Sequence, residues 1–338
     1  MRAFWVGLAV FAFAGIASAD AKSDCLRALA EARKAGLPTT MAEFVGPKPS
    51  TETLLIEKLF GQIKAIKAEE RPTLDELITI DLDNLARKQK GLPELPYPED
   101  PPEIVAKRVA KIDAIYAQLA KTTAPRARAH DMVMFASIEP VKRMVDLAEE
   151  ARKSGNVVLL RNRLFSCRRM IELVPQNANF VSRLRQHAAE QIYYTFVKRL
   201  LTSSPELAKQ ITVGILAPLK KYSFDQMLKD EFFTMVHIFT GISSTGGTKK
   251  WSLPKDSQSL KILTETSRQW TIAYKALAGS KSFAELGAKY KKIAKKMTTY
   301  KHDGDELPYG PSGNLFTAKL DRRESERLEL LKSWPGQR

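Results

Sequence analysis

Lys289, Lys292 and Lys296 recur at steps of three and four residues, with Lys295 beside them, a spacing that gathers ammonium groups on one side of a helix. The chemistry open to such a group is binding of an anion, through long-range attraction and charge-assisted hydrogen bonds. Along another face Phe283, Leu286, Tyr290, Ile293, Met297 and Tyr300 step 3, 4, 3, 4, 3, so residues 282–300 are predicted to form one amphipathic helix, opened by a Ser282–Glu285 capping box. Two arrangements fit this pattern. The aromatic stripe lies on an anionic membrane or polymer, or it faces the protein's own core and the lysines face water.

Other candidate chemistry is thinner. The run Gly241-Ile242-Ser243-Ser244-Thr245-Gly246-Gly247-Thr248 has the glycines of a phosphate loop. A phosphate loop needs lysine where Gly247 stands and a strand before it, whereas Phe232 to Thr240 reads as helix; a surface loop is expected. Of the four histidines, His130, His187, His237 and His302, only His187 has a ligand-type neighbour at helical spacing, Glu190. One such pair falls short of the three or four ligands that a zinc site uses. His302-Asp303-Gly304-Asp305-Glu306 carries oxygen donors without the spacing of a calcium loop. There is no Gly-x-Ser-x-Gly elbow, and the carboxylate pairs Glu69-Glu70 and Glu149-Glu150 diverge by about 100° on a helix, a poor geometry for paired acid and base. No catalytic residue or cofactor is assigned. An enzyme would need a site assembled by folding, and the alternative reading is a hydrolase groove between helices acting on envelope material.

The chain's charge points the same way as the lysines. Its formal net charge is +16 over 338 residues. Residues 20–125 carry 16 basic and 17 acidic side chains, net −1; residues 126–221 carry 17 and 8, net +9; residues 249–301 carry 13 and 3, net +10. Two basic blocks suit an anionic surface, and equally a solvated face that serves solubility. Residues 1–19 read as a secretory signal: Met1-Arg2, an apolar run from Ala3 to Ile16, then Ala17-Ser18-Ala19 or Ala19-Asp20-Ala21 as cleavage site. Export to the periplasm or exterior is therefore expected, with no membrane span after cleavage. Cys25 and Cys167 are the two cysteines; a disulfide is permitted, but a buried small hydrophobe at Cys167 and a free surface thiol at Cys25 is the favoured reading.

The elements that must position these groups are helices. Val157, Leu160, Leu164, Cys167, Ile171 and Val174 form one stripe, flanked by Val141, Met144, Val145, Ala148 and Ala151 before and Val181, Leu184, Ala188, Ile192, Phe196 and Leu200 after. Ser154-Gly155-Asn156 and Pro175-Gln176-Asn177 separate the three, predicting an antiparallel up-down-up unit. Upstream helices are expected at 23–35, 51–69, from Thr73 with its Glu76 capping box, and along Val105, Val109, Ile112, Tyr116 and Leu119. Five prolines between Gly91 and Pro102 mark a linker. Downstream helices follow Ser203–Glu206, open at a Ser223–Gln226 capping box, run along Leu260, Leu263, Trp270, Tyr274 and Leu277, and end the chain near Trp334. The organisation read from this is 1–19 signal, 20–90 small helical region, 91–102 linker and 103–338 main helical domain. The class is all-α, an antiparallel bundle or stacked helical-hairpin array, with almost no sheet.

Ala32-Arg33-Lys34-Ala35-Gly36-Leu37-Pro38-Thr39-Thr40 followed by Glu43-Phe44, with the central unit through Ser154-Gly155-Asn156, resembles a loose group of uncharacterised secreted α-helical bacterial proteins. The resemblance spans about Cys25 to Leu201. It implies export and an all-helical fold, and no activity or site residue. The function expected is that of an exported, non-enzymatic helical protein binding an anionic envelope polymer or phospholipid surface through Lys289, Lys292, Lys295 and Lys296, with no specific nucleic acid as partner. The alternatives are the hydrolase and a protein-binding helical scaffold.

Overall fold

The computed structural model describes residues 20–46, 48–70, 74–127, 138–175, 179–221, 223–240, 253–302, 305–308 and 322–335. The fold is all-α. In order, the helices are α1 (residues 20–34), α2 (Met41–Val45), α3 (Thr51–Ala68), α4 (Leu74–Gln89), α5 (Pro102–Leu119), α6 (Glu139–Lys153), α7 (Val157–Leu173), α8 (Phe180–Ser203), α9 (Pro205–Lys209), α10 (Phe224–Thr240), α11 (Ser257–Leu277), α12 (Phe283–Ile293) and α13 (Arg322–Lys332).

Two apolar clusters hold them. One joins α3, α5, α6, α7, α8 and α9 with Ile215, Leu216, Leu330 and Trp334. The other joins α1 and Leu37 to α10, α11 and α12. The proline stretch carries neither helix nor strand, and α3 before it packs on α5 after it, so residues on both sides contribute to one cluster.

At the centre, α6 and α7 pack along their length. Gly155 ends α6 at φ +68°, a left-handed turn that only glycine enters without strain, while the Asn156 side chain accepts from Leu159 N–H and starts α7. The expected stripe of α7 is inside: Leu160, Leu164, Cys167 and Ile171 are fully buried, and Val174 nearly so. On α8 the face is rotated from the expected one. Val181 and Leu184 are exposed, while Gln186, Ala189, Glu190, Tyr193, Tyr194 and Val197 are buried beside Phe196 and Leu200. Two long neighbours, α13 and the 210–221 segment, reach the polar side of α8, and Tyr193 Oη donates to the Ile215 carbonyl at 2.8 Å.

The helix predicted over 282–300 is shorter. After Ile293 the chain tightens through a 3₁₀ turn, Ala294–Lys296, and then pairs β1 (Thr299–His302) with β2 (Asp305–Pro308), antiparallel, in the register His302 with Asp305. β-branched and aromatic residues at Thr298-Thr299-Tyr300 favour extended backbone over helix. This hairpin is the only sheet among the described residues.

Candidate anion-binding site

Ser282 opens α12 by accepting Glu285 N–H at 3.0 Å. Phe283 and Leu286 are buried, and Tyr290 and Ile293 pack against the same cluster, so the aromatic stripe faces the protein core. Of the two sequence alternatives, the structure has the inward one, and α12 keeps no apolar face that could enter a lipid interface. The lysines face outward. Lys291, Lys292, Lys295 and Lys296 are exposed, and no ion pair engages them among the described residues. Lys289 differs: its ammonium is held by Glu285, one turn back, at 2.9 Å. Lys291 and Lys292 also complement the carboxyl end of the α12 dipole, an effect worth about 0.3–1 kcal/mol per charge that fades within one turn and leaves Lys295 and Lys296 unexplained.

Thr298, two residues past Lys296, lines a cleft of about 670 Å³ between the start of α1 and the first turns of α11. Its other walls carry Asp24, Lys261, Glu265 and Arg268. Arg268 is engaged by Asp24 at 2.8 Å, leaving exposed Lys261 as the further cation at this edge. Lysines of the 3₁₀ turn therefore adjoin a concave surface through the chain itself.

The first basic block is arranged otherwise. Arg126 makes a bidentate pair with Glu57 at 3.1 and 3.0 Å, and Arg143 one with Asp113 at 2.9 and 2.6 Å. Arg168 donates to the carbonyls of Gly214 and Ala217, and Arg169 to Thr122 Oγ1 and the Ala124 carbonyl. Arg126, Arg168 and Arg169 thus tie loops to helices, and Arg143 ties α6 to α5.

The remaining sequence candidates separate. His187 and Glu190 share α8, but Glu190 is buried in an ion pair with Lys221 at 3.1 Å. Burial, reinforced by Arg323, Lys221 and Arg183, pulls the His187 pKa down to about 4, which keeps the imidazole neutral. Both cysteines are fully buried and free, Cys25 in the α1–α10–α11 cluster and Cys167 in the α7 cluster. Cys25 is thus not the surface thiol expected; it sits where the second cluster closes over α1. Burial raises both thiols above their ordinary value, so neither is an activated nucleophile. The glycine run 241–248 and His130 lie outside the described residues. Among the described residues no three His, Cys, Asp or Glu side chains converge as a metal site.

Sequence reasoning missed a polar trio. Tyr274 Oη donates to Asp225, whose other oxygen pairs with Lys229 at 2.9 Å, next to a cleft of about 320 Å³ lined by Arg33, Glu43 and Gln226. Burial opposes ionisation of Asp225, but the hydrogen bonds from Tyr274 and Lys229 outweigh it and lower its pKa. The hydrogen bond to Asp225 raises Lys229, and burial followed by that same carboxylate raises Tyr274. Each group holds its neutral-pH charge more firmly, the opposite of a poised acid or base. Only i, i+4 spacing of Asp225 and Lys229 hinted at it; Tyr274 lies 49 positions away. The chain matches no protein-family model, and neither a curated protein nor a solved structure shows significant similarity to it.

Proposed function

We propose that this is an exported, non-enzymatic envelope protein that binds an anionic polymer through the end of α12. The observation that carries the reading is the exposure of Lys291, Lys292, Lys295 and Lys296 without an ion pair among the described residues. Four charges within six residues create a local positive potential that a flexible polyanion can follow, and the adjoining cleft gives it a concave path. The inward aromatic stripe favours a polymer over a bilayer, because attraction alone, without buried apolar area, holds a helix weakly on lipid. The signal-like residues 1–19 support the envelope as the place.

Co-sedimentation of the purified chain with envelope polymer fractions and, separately, with anionic vesicles across a salt series tests this. Polymer binding that weakens as salt rises, and that is lost in the triple variant Lys292→Glu, Lys295→Glu, Lys296→Glu, is expected. Binding unchanged by that variant, or strongest on vesicles, would sink the assignment.

A further inference from the structure

Helix α4 presents an apolar seam to solvent. Ile78, Leu82 and Leu85, at steps of four and three, are 49%, 62% and 57% exposed, and no described residue of α4 belongs to either apolar cluster. Its other flank is covered by the chain itself. The proline stretch runs back along it: Leu95 N–H donates to Asn84 Oδ1 at 2.6 Å, Asn84 Nδ2 to the Leu95 carbonyl at 3.2 Å, Arg87 Nε to the Pro93 carbonyl at 2.6 Å, and Tyr97 Oη to Asp81 at 2.6 Å. The helix is therefore fixed, with its apolar side outward.

We propose that this seam pairs with α4 of a second copy of the chain, the two helices antiparallel about a twofold axis. The 4-3 spacing of Ile78, Leu82 and Leu85 is that of a coiled-coil seam, and Asp81 and Lys88 then occupy equivalent flanking positions seven residues apart. In an antiparallel pair these positions face each other, so Asp81, exposed and bonded to Tyr97 through only one carboxylate oxygen, meets Lys88 of the second copy and Lys88 meets its Asp81; a parallel pair turns each toward the opposite flank of its partner and makes neither contact. The helix is its own complement, as an isologous contact requires. Charge favours the same place. Residues 20–125 are near neutral at −1, whereas the two basic blocks, at +9 and +10, repel their own copies. Three apolar side chains per copy put the contact at the small end of specific interfaces, so the association is concentration-dependent.

Sedimentation equilibrium of the purified chain over a concentration series is the test. A monomer–dimer equilibrium is expected, abolished by Leu82→Asp with helical circular dichroism unchanged, since Leu82 lies outside both clusters. Asp81→Lys and Lys88→Asp each weaken the dimer roughly 10-fold, and the double reversal restores it; one helix cannot mimic this alone, because seven residues separate the two groups by about 10 Å. A monomer at every concentration, a dimer indifferent to Leu82→Asp, or a double reversal weaker than either single one would overturn the proposal.

Discussion

The two basic blocks have nearly equal net charge, +9 in residues 126–221 and +10 in residues 249–301, yet they do different work in the fold. Eleven of the 17 cations in the first are arginines, against one of 13 in the second. That difference in residue type predicts the difference in role. A guanidinium offers several donors in a rigid plane and is only weakly hydrated, so it can leave water to bridge carbonyls and carboxylates. Arg169 does so at 8% exposure, reaching Thr122, Ala124 and Glu172 at once. A lysine ammonium is compact and strongly hydrated, and it leaves solvent only where a carboxylate meets it, as Glu285 does for Lys289 and Glu190 for Lys221. Net charge alone does not mark a binding surface; the type of cation and its non-local partners decide.

The contrast has measurable edges. Arg169→Ala removes the donor that holds the 122–124 segment on α7 and leaves Glu172 without its ion-pair partner; a loss of about 3 kcal/mol in denaturant unfolding is expected. A loss under about 0.5 kcal/mol would make the first block as dispensable to folding as a surface charge. Reversing Lys291, Lys292, Lys295 and Lys296 to glutamate should leave the unfolding midpoint nearly unchanged while lowering polymer affinity roughly 100-fold, about 2.7 kcal/mol, and flattening its salt dependence. If the same variant unfolds the protein, the second block is structural too.

Acid should separate the blocks again. His187 has its pKa depressed from 6.5 to about 4 in the fold, so the folded state prefers neutral imidazole. Its stabilising share is fully present above the unfolded value and is lost as pH falls from about 6.5 through 4. The acid midpoint of His187→Gln should therefore lie lower than that of the parent, as read by circular dichroism; an identical midpoint would mean that neither burial nor the surrounding Arg323, Lys221 and Arg183 disfavour the charged imidazole. The smallest effect belongs to Lys289→Gln, which breaks one half-exposed pair and should shift stability by about 0.3 kcal/mol and affinity less than any of the exposed lysines.

How far the sequence reaches is clearest by element. The stripe on α7, the Gly155 stop, the Asn156 start and the Ser223 and Ser282 caps were all readable, because each depends on residues within one turn of one another. Thr40 and Glu43 form a further capping box, and its Thr-x-x-Glu signal is equally local. The expected helix overruns the end of α12 because a 3-4 apolar period continues through Met297 and Tyr300, while the Thr-Thr-Tyr run favours the extended backbone that the structure has there.

What the sequence by itself determined is the helical class and the inward face of the helices whose periodicity is strong, since both follow from local spacing and short-range hydrogen bonding. Only the tertiary structure decided which cations are buried, which face α8 turns inward, and where Cys25 lies. Those depend on partners far along the chain, 69 positions for Arg126 and Glu57 and 244 for Arg268 and Asp24, and no local pattern encodes a distance of that kind.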